Sequence, residues 1–321
     1  MSTSGIIRPK ILTLLISCQG EGLQSSYGNQ SNFRHAFFMV IAMIAFAIED
    51  AIIKQLALKL PISQVLITVG LSGLLVLYGL SILKKDLIAH RRFIDLKFLL
   101  RMLCELISSV FFVITMVYVS LTVSSALLQI VPIMMTIGGF LLFKETVNSK
   151  QWVLVFVGLI GSLLVIQPGT DIFNPLSLFA LAGAFFLALR DLLTFSMSDN
   201  YPPVAIAFWG FASLALGGAV SVPFFGPFCE FAAVDVLFVL ASGFFGPAAY
   251  LALIYATRGG EIGVVAPFRY SRLPIAVLIG IVVFDESPNN FVLWGCGLIV
   301  VSGFLILAMS NKRKSKSISS D

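Results

Sequence analysis

Charge is what this chain has least of. Only 12% of its 321 residues are Asp, Glu, Lys or Arg, while 58% are hydrophobic, far from the balance of a soluble globular domain. Histidine is scarcer still. The two present, His35 and His90, sit near the ends of apolar segments, which argues against acid–base histidine chemistry inside them. Of the four cysteines, Cys104, Cys229 and Cys296 have neither metal-ligand nor redox spacing and read as small core residues, with no metal and no cofactor expected. No phosphate-binding loop, zinc-protease motif or nucleophile elbow is present. What remains is a polytopic membrane protein whose surroundings are the lipid bilayer, with no nucleic-acid partner and no catalytic residues expected.

About 20 apolar residues span the hydrocarbon core as a helix. Ten runs qualify, at roughly 36–58, 62–83, 98–119, 121–143, 151–168, 175–197, 203–225, 233–256, 260–284 and 289–309. Their length and continuity favour helices over barrel strands, which alternate apolar and polar residues. Pro61, Pro168–Gly169, Pro175, Pro202–Pro203 and Pro288 punctuate the boundaries, where helices stop and restart. The division between spans three and four, at Ser120–Thr122, has the weakest signal.

Basic residues set the orientation. Lys84, Lys85, Arg91 and Arg92 lie between spans two and three, Lys97 and Arg101 open span three, and the tail carries Lys312, Arg313, Lys314 and Lys316. Both regions are expected on the cytoplasmic side. With ten spans, both termini share that side with the loop after span two, and Lys59 is the clear basic exception on the other face. Residues 1–32 read as a disordered cytoplasmic leader, or as residues upstream of the true start. Leu15-Ile16-Ser17-Cys18 resembles a lipoprotein cleavage box, but its apolar run is short for a signal peptide and an anchored Cys18 would invert the topology.

The chain also repeats itself. An offset of 141 places Phe46-Ala47-Ile48-Glu49-Asp50 on Leu187-Ala188-Leu189-Arg190-Asp191, and Phe143-Lys144-Glu145-Thr146 on Phe284-Asp285-Glu286-Ser287. Trp152 and Gly161 match Trp294 and Gly303 after a slip of one, and Pro132 falls near the counterpart of Pro274. Five spans per half is an odd number, so the second half enters the membrane from the opposite face. That pattern is an inverted repeat, recurrent among secondary transporters. The divisions are 33–170 and 171–310, with 311–321 a basic cytoplasmic tail. Gly158–Gly161, Gly217–Gly218 and Gly295–Gly297 read as sites of close helix packing.

These features together make residues 36–309 resemble an EamA-type member of the drug/metabolite transporter superfamily. The resemblance rests on the five-plus-five arrangement and on the span that ends in Phe-Lys-Glu at Glu145, preceded by Pro132 and followed by a Trp/Gly-rich helix. Phe284-Asp285-Glu286 repeats that ending. The stretches Ala188-Leu189-Arg190-Asp191-Leu192 and Ala266-Pro267-Phe268-Arg269-Tyr270-Ser271-Arg272 are similar to a subgroup of metabolite-uptake carriers. The resemblance implies a fold of ten transmembrane helices in two inverted five-helix repeats. It also implies alternating access across a bacterial-type inner membrane, as a monomer or homodimer. Uptake of a riboflavin- or S-adenosylmethionine-like metabolite is implied, with export of amino acids or drugs as the alternative.

Charges inside the spans carry the functional reading. One ionised side chain at mid-bilayer costs about 2.5–3.5 kcal/mol on insertion scales, so each needs a reason. Residues four apart share a helix face, so Asp50 with Lys54 and Arg101 with Glu105 can be local pairs. Glu49, Arg190, Asp191, Arg269 and Arg272 lack such partners and must look across helices, to water or to substrate. Pairing Glu49 and Asp191 with two arginines leaves one cation over. That surplus is expected either to meet an anionic or carboxylate group of the substrate or to reach headgroups or helix ends. Substrate-binding or gating is expected of Arg269, Arg272, Glu49, Arg190, Tyr270 and Gln129. Asp50 and Asp191 are expected to carry protons or to clasp the repeats together. Tyr118, Trp209, Tyr250 and Tyr255 could face a ring-bearing solute or simply fill core. Glu145 and Glu286 read as repeat-symmetric structural or gating carboxylates. A membrane enzyme or a scaffold is the reading from a different class, separable from transport by solute flux in vesicles.

Overall fold

An apolar segment in lipid must satisfy its peptide groups internally, and the α-helix does so. The computed structural model describes residues 29–85, 95–119, 121–143, 148–167, 176–197, 201–259, 265–291 and 293–298, with 301, 302 and 305, and it is helical without strands among them. The helices are α1 (Asn29–Ala57), α2 (Ile62–Lys84), α3 (Leu96–Tyr118), α4 (Leu121–Leu127) and α5 (Val131–Phe143). They continue with α6 (Ser149–Ile166), α7 (Ser177–Ser196), α8 (Pro203–Phe225), α9 (Ala233–Gly259) and α10 (Arg272–Phe284). A 3₁₀ turn at Leu128–Ile130 joins α4 to α5, and another at Ala266–Ser271 precedes α10.

Among the described residues, seven helical segments are long and apolar enough to cross a membrane, matching expected spans one to four and six to eight. The other three fall short for separate reasons. Of α6, the part whose side chains are continuously described is Ser149–Gly161, short of a full span. The ninth run is divided by its 3₁₀ turn, which leaves α10 with 13 residues. The tenth is helical at 290–291 and 293–298, with much of the rest outside the described residues. The weak boundary at Ser120–Thr122 is a real division, because α3 ends at Tyr118, Val119 is extended and α4 opens at Leu121. Helix α1 begins at Asn29, within the stretch read as leader, while residues 1–28, the loop 86–94, Glu145 and the tail lie outside the described residues.

Proline and glycine act at the ends as their geometry dictates. Pro61 and Pro202 precede α2 and α8, Pro203 opens α8, and Gly226 closes α8 at φ 84°, a conformation that favours glycine. Pro223 and Pro247 lie inside α8 and α9, tolerable where neighbouring helices take up the freed carbonyls.

The bundle is built from three principal helix pairs: α1 along α9, α2 along α8 and α3 along α7. Further contacts join α2 to α9, α3 to α8, α1 to α10, α5 to α7 and α4 to α10. Large apolar side chains point outward, with Leu75, Phe224, Phe244 and Trp294 each more than 60% exposed. A soluble surface would not tolerate this, whereas lipid solvates it.

Small residues set how closely α2 and α8 approach. A Cβ at Gly70 would lie 2.7 Å from Ala215, and one at Gly218 would lie 2.8 Å from the Ile67 backbone nitrogen. Gly79, by contrast, has nothing within 4 Å. Gly70→Ala and Gly218→Ala should each destabilise the detergent-solubilised protein by about 1–3 kcal/mol through overpacking, whereas Gly79→Ala should not. Thermal unfolding of the three variants side by side checks this.

Candidate functional site

Three buried arginines, the part-buried Arg272 and four buried acids meet between the helices. Arg190, on α7, donates through Nη1 to both oxygens of Glu105 on α3, at 2.8 and 3.0 Å. Its Nε donates to Asp191 Oδ1 at 2.8 Å, with Nη2 at 2.6 Å from the same oxygen. Neighbours in a helix sequence do not share a face, but the long guanidinium stem folds back far enough to reach. Arg269, in the second 3₁₀ turn, contacts the other oxygen of Asp191. Arg272, at the start of α10, bonds Asp50 on α1 through Nε at 2.9 Å and also through Nη2. Arg101 lies 3.6 Å from Glu105 and donates to Thr194 at 3.0 Å. The Tyr250 hydroxyl, from α9, donates to Glu105 and accepts from Arg101.

Rings cover the cations. Arg272 lies 5.3 Å from the Phe46 centroid and 5.4 Å from that of Phe112, and Arg190 lies 5.3 Å from Tyr250. Cation–π contact of this kind offsets part of the desolvation cost.

Beside the network lies a cavity of about 120 Å³. Its polar wall includes Glu49, Asp50, Glu105, Arg190, Arg269 and Arg272, and its aromatic wall is Phe46, Phe112, Phe211 and Tyr250. Five of the residues singled out from sequence therefore meet there. Asp191 stands outside that lining, holding Arg190 and Arg269. Gln129 and Tyr270 are buried but do not line the cavity, and Tyr270 packs in an apolar cluster with Leu127, Ala180 and Leu273.

The pairing differs from the local expectation. Asp50 bonds Arg272 rather than Lys54, and Lys54 instead pairs with Glu286 at 3.3 Å. Glu286 also accepts from the Leu121 amide at 3.0 Å and from the Thr122 hydroxyl, so it ties α1 to the start of α4. Arg101 and Glu105 do pair as neighbours one turn apart, but Glu105 also holds Arg190 and Tyr250. Nor, among the described residues of this layer, is a cation left over. Arg101, Arg190, Arg269 and Arg272 face Glu49, Asp50, Glu105 and Asp191, and the expected count omitted the pairs read as local.

Two groups keep spare capacity. Arg269 is buried and its Nε has no hydrogen-bond acceptor among the described residues. Glu49 is only 6% exposed, lines the cavity, and has no hydrogen bond or ion pair among the described residues. Two glycines make room for Glu49 and Tyr250. A Cβ on Gly246 would lie 2.2 Å from Glu49 Oε1, and one on Gly210 would lie 2.8 Å from the Tyr250 hydroxyl. Neither glycine carries a sequence signal of this role. Among the described residues, no group of three His, Cys, Asp or Glu side chains is placed to hold a metal.

Comparison with known proteins adds to the geometry. The model of the EamA-like transporter family matches residues 34–167 and again 175–308. A riboflavin transporter of Rhizobium johnstonii is 26% identical over 289 residues, covering 88% of this chain and 93% of its own length. An S-adenosylmethionine uptake transporter of Rickettsia bellii is 24% identical over 191 residues, covering 59% of this chain and 64% of its own. One crystal structure aligns with a TM-score of 0.63 at 15% identity, covering 85% of this chain and 96% of the other. That last likeness is one of fold.

Arg190 is the group the network can least lose. Arg190→Met leaves two buried carboxylates short of a partner and should cost about 3–5 kcal/mol, seen as a collapse of the monodisperse fraction in detergent. Arg190→Lys should recover only part, because one ammonium cannot reproduce the guanidinium fork.

Proposed function

The chain belongs to the EamA-like transporter family, and from that premise we propose that the cavity beside the charge network is its transport site. The observation that carries this reading is that charges from both halves of the chain converge on one cavity: Glu49, Asp50 and Glu105 from the first, Arg190, Arg269 and Arg272 from the second. Charges are costly in a membrane unless they pair or serve a pathway, and these do the first while lining what suits the second.

The halves are read as inverted repeats of five spans each, ten in all. Helix packing supports this. Exchanging each span for its counterpart five later turns the α1–α9 pair into α7–α3, α2–α9 into α8–α3 and α1–α10 into α7–α5, while α2–α8 maps onto itself. The 3₁₀ turns obey the same relation, since the offset of 141 sets Leu128–Ile130 on Arg269–Ser271. Halves related this way can rock about a shared site, giving access to each face in turn. In the topology with both termini cytoplasmic, the Lys54–Glu286 pair and the Gln64–Cys229 bonds fall at the outer ends of their helices. They would hold that rim together.

The substrate is a small metabolite taken up across a bacterial-type inner membrane. The relatives named for riboflavin and S-adenosylmethionine share a flat heteroaromatic ring with polar groups attached. Phe46, Phe112, Phe211 and Tyr250 offer a wall for such a ring, and Arg269 offers a free Nε–H for an acceptor group. Asp50 and Asp191 act as clasps rather than proton carriers, because each already holds arginine. Gln129 and Tyr270 serve the 3₁₀ turns in their spans and not the wall.

Arg269→Gln tests this reading. Asp191 keeps Arg190 in the variant, so folded yield should hold. Counterflow of riboflavin and of S-adenosylmethionine should be measured in proteoliposomes, and the transported compound should slow roughly tenfold or more, the scale of one charge-assisted hydrogen bond. Unaltered flux would remove Arg269 from the site.

A further inference from the structure

We propose that Glu49 binds a hydrogen-bond-donating or cationic nitrogen of the substrate, and that Gly246 fixes where its carboxylate stands. This rests on reading the cavity as the transport site and assigns the chemistry that its ligand must have.

Three observations converge. In the buried layer Asp50, Glu105 and Asp191 are each held by arginine, whereas Glu49 has no hydrogen bond or ion pair among the described residues. It is nine-tenths buried and still lines the cavity. Its Oε1 occupies the space a side chain at position 246 would fill, against the edge of Phe211. A carboxylate that is removed from water and left without a donor is costly, and the open side of Glu49 is the cavity. Of the neighbouring charges, Arg272 is committed to Asp50 and Arg190 to Glu105 and Asp191. Apart from a proton on Glu49 itself, the donor it lacks comes from what enters.

Glu49 is an acceptor and Arg269 Nε a donor. The ligand that satisfies both carries an acceptor group and an N–H or ammonium on one small frame, with a flat ring for the aromatic wall. A purely anionic solute satisfies only Arg269. A bare apolar ring satisfies neither.

Binding of riboflavin and of S-adenosylmethionine to the purified full chain, followed by intrinsic fluorescence, tests the assignment. Glu49→Gln should leave the ligand-free unfolding temperature within a few degrees of the parent, since it breaks no ion pair. It should weaken binding of the recognised compound roughly ten- to hundredfold, the scale of one charge-assisted hydrogen bond. Gly246→Ala, which displaces the carboxylate without removing it, should weaken the same compound in the same direction. Arg269→Gln serves as the control for the cavity. If it weakens binding while Glu49→Gln and Gly246→Ala do not, the cavity stands and the role of Glu49 is overturned. If none of the three alters binding, or if the parent binds neither compound, the transport-site reading falls with it.

Discussion

The interior of this bundle depends on how Arg190 is kept paired out of water. Its guanidinium is shared between Glu105 on α3 and Asp191 on its own helix, and a guanidinium left alone there would be too costly to tolerate. Everything around it follows from that requirement. Glu105 draws in Tyr250 from α9 and Arg101 from α3, and Asp191 draws in Arg269 from the 3₁₀ turn before α10. Helices far apart in sequence are joined at one depth. Such networks add little net stability compared with apolar packing, but they specify which helices meet and in what register.

The cavity is a consequence of the same arrangement. Guanidinium groups lie over the rings of Phe46, Phe112 and Tyr250, and the same rings line the cavity. Gly210 and Gly246 admit a phenol and a carboxylate where side chains would block them. The 3₁₀ turns at Leu128–Ile130 and Ala266–Ser271 interrupt two spans beside the site, and an interrupted helix can bend without losing the hydrogen bonds of its two halves. A layer of exchangeable ion pairs next to paired 3₁₀ turns suits a site that must open to either side.

Much of this was legible in the sequence, because the signals were local or periodic. Apolar length gave the helices, and the constant offset paired Asp50 with Asp191 and the Phe-Lys-Glu ending with Phe284-Asp285-Glu286. The expense of charge in lipid pointed to Glu49, Asp50, Arg190, Asp191, Arg269 and Arg272, of which all but Asp191 line the cavity. What stayed hidden depends on which helices touch. Asp50 finds Arg272 across 222 positions of sequence, and no spacing rule ranks that above Lys54 one turn away. Glu105 looked settled by Arg101, so its second role with Arg190 and Tyr250 could not be seen. Tyr270 shares the cationic stretch of Arg269 and Arg272, but the 3₁₀ geometry turns it into an apolar cluster. Gly246 is one glycine among 26, and its meaning appears only beside Glu49.

The central claim is that this cavity is reached in turn from both sides of the membrane. Leu187 lines it without entering any ion pair, so a cysteine there reports access without disturbing the charges. In a variant lacking the native cysteines, Leu187→Cys should react with an impermeant thiol reagent in both right-side-out and inside-out vesicles, and saturating substrate should slow the reaction. Labelling from one side alone, unaffected by substrate, would contradict alternating access at this site.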